Sequence, residues 1–316
     1  MVIREATRGA RDVAVVVERD GRVLHEWRTS SGDDTAYRFR IASVSKVLTA
    51  VAVLRLVDSG LIDLDRPVLS SIAKASGVDL ADPAMERITP RQLLSHTSGL
   101  GVMSDLFFES PELSADDVVR TILASSLVAN PGDSFRYSNA NFVLLGRLLE
   151  VVEGRPYSEI VGDEVLAPLG LKDVAIRRTE QFESGDVRHA VRPGRNYMEL
   201  LGPAGAWVAS ARSVATLLAS VDPEPTAGIL SQRMRRMMTT PSSAGVEDGS
   251  WTYGLGIRIF PGGVWGHTGT IESIRAAALH FPDGTIVVVL ANGDSPRVTD
   301  DLVAALLLAD LYARGG

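Results

Sequence analysis

The segment from Tyr37 to Leu56 constrains this chain most. After Lys46 no charged residue appears until Arg55, and Val47, Val51 and Leu54 recur at spacings of four and three beside Leu48, Val53 and Leu56. A helix with that pattern is apolar almost all round and belongs inside a core, so the rest of the fold must wrap around it. A lysine at the head of such a helix is costly unless it is paired or neutral, and burial lowers an amine's pKa. Ser43 stands three residues before Lys46, so on a helix the two share a face. Near a helix start, free backbone N–H groups and the dipole favour developing negative charge. The segment therefore predicts a hydroxyl nucleophile with an amine base in reach.

Spacing alone does not single out this pair. The chain has three lysines, and Lys74 also follows a serine, Ser71, by three residues. Ser71 lies in a polar, small-residue run between Pro67 and Pro83, with no long apolar stretch behind it, so Ser71 and Lys74 read as a solvated surface. Partner classes narrow through charge: 32 basic against 39 acidic residues leave a net charge of −7, which disfavours nucleic acid and anionic membranes. The absence of cysteine excludes disulfides, thiolate nucleophiles and cysteine metal sites. Met1 to Ala6 shows no apolar signal core, and the longest apolar runs, Leu302 to Ala309 and Ile286 to Ala291, fall short of the ~20 residues of a membrane helix. A cytoplasmic protein without a membrane span is expected.

At 316 residues the chain can form one large or two interleaved domains. Val13 to Val17 and Val23 to Trp27, separated by Asp20-Gly21, read as a β-hairpin, because Asp-Gly suits the positive φ values of a two-residue turn. Gly60 closes the Ser43 helix. From about Pro67 to Arg195 strand patterns nearly vanish, and Asp116 to Ser126, Asn141 to Val152 and Tyr157 to Leu166 have helical periodicity. Strand patterns return at Tyr253 to Ile259, Ile274 to Phe281 and Thr285 to Ala291, the last two joined by Pro282-Asp283-Gly284. Val298 to Ala313 reads as a final helix. The sheet thus draws strands from both chain ends, around an inserted helical region.

Two further segments carry polar groups suited to chemistry. Pro131-Gly132 sets a turn, and Tyr137-Ser138-Asn139 then falls on a short extended link whose alternate residues point the same way, presenting a phenol and a carboxamide together. Before a strand-like stretch, Gly269 in His267-Thr268-Gly269-Thr270 allows close approach of another backbone or a ligand. His267 places a polar head beside it.

Taken in order, Ser43-x-x-Lys46, Tyr137-x-Asn139 and His267-Thr268-Gly269 resemble the three signatures of the serine β-lactamase and penicillin-binding-protein superfamily. The version with tyrosine in the second motif is that of the class C β-lactamase, D-alanyl-D-alanine carboxypeptidase and family VIII esterase branch. Flanking stretches share the resemblance: Phe39 to Ser43, Ile88 to Leu100, and Gly202 to Ser210. It implies a β-lactamase/transpeptidase-like fold of the α/β (α+β) class, with an antiparallel sheet flanked by helices. Residues 1–66 and 198–316 would form the α/β domain and 67–197 a mostly helical one, with the site in the cleft between them. By the same resemblance Ser43 is the acylated nucleophile, and Lys46 and Tyr137 form the base that takes its proton and returns it to the leaving group. Asn139 would bind Lys46 and the substrate's acyl side chain, and the N–H groups of Ser43 and Thr270 would form the oxyanion hole. Many β-lactamases have lysine in place of His267; a histidine titrating near neutrality implies weaker, pH-dependent recognition of a substrate carboxylate. Hydrolysis of an ester, amide or peptide of small size is then favoured over efficient β-lactam turnover.

Other classes fit less well. No Gly-x-Ser-x-Gly occurs, so the nucleophile elbow of α/β-hydrolases is absent, and the adjacent Ser95 and His96 point apart and read as structural. No His-Glu-x-x-His and no glycine-rich phosphate loop occurs, so neither a metal nor a cofactor is expected. Acyl transfer in a biosynthetic pathway would use the same acyl-enzyme, and a binding or sensor domain could retain the motifs without turnover. Met103 to Glu109 and Phe182 to Tyr197 are loops placed to line the cleft, and no motif sets an oligomeric state.

Overall fold

A computed structural model describes residues 2–29, 37–224, 228–242, 250–293, 302–303 and 306–307. Its strands in chain order are β1 (Asp12–Arg19), β2 (Arg22–Arg28), β3 (Phe39–Arg40), β4 (Ala175–Ile176), β5 (Trp207–Ala209), β6 (Thr252–Tyr253), β7 (Arg258–Ile259), β8 (Trp265–Ile271), β9 (Ile274–His280) and β10 (Thr285–Asn292). Seven of them form one sheet in the order β2-β1-β10-β9-β8-β7-β6, and β3, β5 and β4 form a small second sheet. The two chain ends meet at β1 and β10, paired antiparallel from Asp12 opposite Asn292 to Arg19 opposite Thr285.

Side-chain alternation along these strands feeds two cores, because successive residues face opposite sides of a sheet. Ala14, Val16, Val288 and Leu290 point into the main core with the Lys46 helix, whereas Val13, Val15, Val287 and Val289 face the other side. There Leu302, Val303 and Leu306 pack on them. These and Leu307 belong to the expected Val298 to Ala313 helix; the rest of that segment lies outside the described residues. The first hairpin turns at Asp20 and Gly21, both at positive φ as a tight two-residue turn requires.

The expected helices appear with shifted ends. Ala115–Leu123 starts from a capping box in which Ser114 and Asp117 bond each other's backbone N–H. Asn139–Glu153 begins two residues early because the Ser138 hydroxyl accepts the Ala140 N–H as its cap. Tyr157–Val161 continues into a wider π turn at Gly162–Leu166.

One expectation is corrected. Tyr253 to Ile259 is not one strand but a tight hairpin of β6 and β7, with Tyr253 opposite Arg258. The cause lies in the intervening glycines: Gly256 has φ +81, and a Cβ there would sit 2.4 Å from the Ala50 Cβ of the Lys46 helix. Contact with that helix, available only to glycine, bends the chain back on itself.

Candidate active site

Ser43 owes its position to the small sheet and the buried helix. Phe39 and Arg40 pair with Ala209 and Val208, the Ile41 N–H donates to the Trp207 carbonyl at 3.1 Å, and the Trp207 N–H donates to Ser45 Oγ at 3.3 Å. Ala42 then turns through φ +47, a left-handed conformation that costs a non-glycine residue ~1 kcal/mol and persists only where packing enforces it. The chain enters helix Ser45–Asp58 through a 3-10 turn, Ala42–Val44, so Ser43 lies just ahead of the helix rather than in its first turn. From Phe39 to Leu54 every residue is buried except Ser43, which is half-buried.

Lys46 is fully buried and its Nζ donates three hydrogen bonds: to Ser43 Oγ at 3.0 Å, to Asn139 Oδ1 at 2.8 Å and to the Ala204 carbonyl at 2.8 Å. Asn139 is placed by the Ser138 cap as first residue of its helix. Ala204 lies in the turn Gly202–Ala204, which approaches that helix because Gly146 has no side chain; a Cβ there would fall 2.1 Å from Pro203 Cγ. Burial lowers the Lys46 pKa, and negative charge on Tyr137 opposes this.

Tyr137 completes the cluster from the residue before the helix cap. Its ring centroid lies 5.1 Å from Lys46 Nζ and 5.6 Å from the Arg258 guanidinium carbon. Its Oη is buried and completes no hydrogen bond of ordinary geometry. Burial alone would raise its pKa, but Lys46 and Arg258, with Ser43 adding to them, bring it below the usual phenol value.

Strand β8 closes the other side. A Cβ on Gly269 would stand 2.5 Å from the Ile41 carbonyl oxygen and 3.0 Å from the Ser43 nitrogen, so only glycine lets this strand reach the serine turn. Glu272 and Ser273 form a two-residue loop closed by Ile271 opposite Ile274. Such a closing pair exchanges both hydrogen bonds, and alternation then turns the Thr270 N–H away from β9, toward the serine side. Thr270 is the one exposed residue of β8.

His267 differs from the expectation of a group titrating near neutrality. It is fully buried; its Nδ1 lies 2.6 Å from the Thr268 carbonyl, to which only an N–H can donate, and its Nε2 accepts from Tyr253 Oη at 2.9 Å. Burial, with Arg258 and Lys46 adding to it, holds its pKa well below the ordinary value, so the imidazole is neutral. The accessible cation here is Arg258, which sequence patterns place only within a strand. It stacks 4.2 Å over Trp251, its Nε is buried without a partner, and it forms no ion pair among the described residues.

The remaining candidates sort by place. Ser71 and Lys74 are exposed, and the Ser71 hydroxyl donates to the Val68 carbonyl. Ser95 and His96 are buried, Ser95 bonding the Arg91 carbonyl and Thr97 hydroxyl. His96 packs against Tyr137 with ring centroids 4.3 Å apart. Both segments expected to line a cleft as loops, the first of which is helical over Ser104–Phe108, contribute to a recess of about 270 Å³ beside Thr270, through Phe108, Glu109, Arg195 and Tyr197, with Glu272 opposite. A larger recess of about 550 Å³ lies against β1, β2 and Arg212, away from Ser43. No group of three potential metal ligands occurs among the described residues, and none of their helices is long and apolar enough to cross a membrane.

A serine turn ahead of a buried lysine helix, set against the edge of an antiparallel sheet flanked by helices, defines the β-lactamase/transpeptidase fold class. The family model described as Beta-lactamase matches residues 2–311, and the chain belongs to that family. Among solved structures, a D-stereospecific amidohydrolase from Streptomyces sp. is 26% identical with a TM-score of 0.77, covering 96% of this chain and 97% of its own. A D-amino acid amidase from Ochrobactrum anthropi SV3, solved with L-phenylalanine, shares the fold at 22% identity and a TM-score of 0.81, covering 99% and 98%. Esterase EstB of Burkholderia gladioli is 33% identical over 195 residues, 54% of this chain; the match spans 49% of the esterase's length.

Proposed function

We propose that the protein is a serine hydrolase that cleaves a small ester or amide through an acyl-enzyme on Ser43. The observation that carries this reading is the half-buried Ser43 hydroxyl, bonded to a fully buried lysine and faced by the Tyr137 phenol, whose buried Oη completes no hydrogen bond of ordinary geometry. The likeness to an amidohydrolase and an esterase supports it. In this reading the site lies in a cleft between an α/β part, residues 1–66 and 198–316, and a helical part, residues 67–197.

As an ammonium, Lys46 has all three hydrogens engaged, one of them by Ser43 Oγ. The serine's own hydrogen is then free to pass to Tyr137, whose lowered pKa favours the phenolate form, the one able to accept it. Ser43 Oγ attacks the substrate carbonyl carbon, and the resulting oxyanion is held by the N–H groups of Ser43 and Thr270, each worth ~3 kcal/mol in sites of this kind. Collapse breaks the scissile bond, and the proton on Tyr137 leaves with the amine or alcohol. Water then repeats the sequence on the acyl ester, so the enzyme returns to its starting state.

Arg258 extends the reading to substrate chemistry. A guanidinium that forms no ion pair among the described residues and stands beside the general base is suited to a carboxylate on the substrate, which it can bind bidentately. It takes the role expected of His267. The deciding experiment uses p-nitrophenyl acetate: wild type should release a burst of p-nitrophenol and Ser43→Ala none. Equal release by the two proteins contradicts the assignment.

A further inference from the structure

His96 lies on no path of the chemistry above, yet it is built into the floor of the site. It is 1% exposed and holds φ +58, a backbone conformation that non-glycine residues adopt only under constraint. Its Nδ1 accepts the Ser138 N–H at 3.2 Å and lies 2.9 Å from Asn141 Nδ2, while its own carbonyl accepts the Arg136 N–H at 2.8 Å. These contacts bracket Tyr137 on both sides along the chain. The imidazole ring also lies against the Tyr137 ring, 4.3 Å between centroids and tilted by 37°, with Phe142, Tyr253 and Phe135 enclosing it.

We propose that His96 is a positioning residue for Tyr137: its Nδ1 fixes the backbone at Ser138, and its ring fixes the phenol plane, so that Oη is held toward Ser43 and Lys46. This rests on the serine-hydrolase reading. Two donors converge on Nδ1, so the ring's single hydrogen sits on Nε2, and a second could be added only by giving up both bonds. The charged and titratable groups that act on the ring, Lys46, His267 and Arg258, agree with this neutral state, since burial and those neighbours hold its pKa well below the ordinary value. A neutral ring leaves Lys46 and Arg258 as the cations that lower the Tyr137 pKa.

Two variants separate the acceptor from the ring. His96→Phe keeps an aromatic face and removes Nδ1. His96→Asn keeps an acceptor near the same place and tolerates the left-handed backbone, so it tests the contact even where the phenylalanine variant folds poorly. Rates are taken per acylatable Ser43, counted by the p-nitrophenol burst, so loss of folded protein does not enter. The expected result for His96→Phe is a kcat about 100-fold lower with KM changed less than about threefold, and an acid limb of the kcat/KM profile displaced upward by about half a pH unit or more. His96→Asn is expected to recover about tenfold in kcat over His96→Phe. An unchanged kcat and pH profile in His96→Phe, or an asparagine variant no better than it, would overturn the proposal. A wild type with no burst overturns the underlying reading instead, and the inference with it.

Discussion

At the scale of single residues, the site is a problem of charge placed where water cannot reach it. Lys46 is fully enclosed, and its three acceptors are a hydroxyl, a carboxamide and a backbone carbonyl rather than a carboxylate. Without a neutralising acid, burial works against the ammonium, and ionisation of Tyr137 is the compensation at hand. Arg258 adds a second cation, 5.6 Å from the phenol's ring centroid. Replacing it by glutamine removes a charge-assisted contact of ~2 kcal/mol to a substrate carboxylate. Arg258→Gln is therefore expected to lower kcat/KM about 30-fold for a carboxylate-bearing ester, and much less for its neutral methyl-ester counterpart. An unchanged preference between the two esters would show that Arg258 does not read the carboxylate. Ser43 and Lys46 were legible because a buried lysine breaks an otherwise apolar run. Arg258 was not: an arginine at a strand position usually faces solvent, and only the hairpin folded by Gly254 and Gly256 turns it toward Tyr137.

At the scale of elements, the site depends on close approach of three backbones. β8 meets the serine turn at Gly269, and the Lys46 helix meets the β6–β7 hairpin at Gly256. Gly269→Ala is expected to push β8 off the turn, weakening the Thr270 donor. The kcat should fall about 100-fold or more, while the midpoint of urea unfolding shifts by no more than the ~1–3 kcal/mol of a local overpacking. Near-normal turnover in that variant would mean that β8 does not supply the oxyanion donor. The value of Gly269 was visible in the sequence, since a glycine beside His267 and Thr268 implies an approach. The split of Tyr253 to Ile259 was not, because alternation of apolar residues is the same in one strand as in two short ones joined by glycines. Likewise the Ala204 carbonyl bound to Lys46 carries no side-chain signature; only the glycines on either side of it, Gly202 and Gly205, hint at an exposed backbone.

At the scale of the whole molecule, the polar centre is enclosed by a core that spans both chain ends, and this couples folding to pH. His96 and His267 are neutral in the folded protein, with pKa values well below the ordinary one; His189 is pulled down to about 4, and His280 is lowered. Burial is the largest cause in each. In the unfolded chain these groups take up protons near pH 6.5, so below that pH the unfolded state binds protons the native state does not. Stability is then fully present above pH ~6.5 and declines as pH falls, approaching ~1.4 kcal/mol per pH unit for each fully buried histidine. Urea unfolding at pH 7.5 and 5.0 should show a clear drop in midpoint at the lower pH; equal midpoints would mean that these imidazoles are solvated or already protonated in the native state. The interleaved topology itself was readable from strand patterns at both ends and helical periodicity between them. His96 read as structural from its adjacency to Ser95, and its contact with Tyr137 needs 40 residues of chain to fold between them.

The claim on which the rest depends is that Ser43 becomes acylated. Intact-mass spectrometry of the protein quenched in acid during turnover of p-nitrophenyl acetate measures this directly. A mass gain of one acetyl group, mapped to the peptide containing Ser43 and absent from Ser43→Ala, is the expected result. An unmodified wild-type chain under conditions of continuing p-nitrophenol release, or an adduct on another residue, would contradict it.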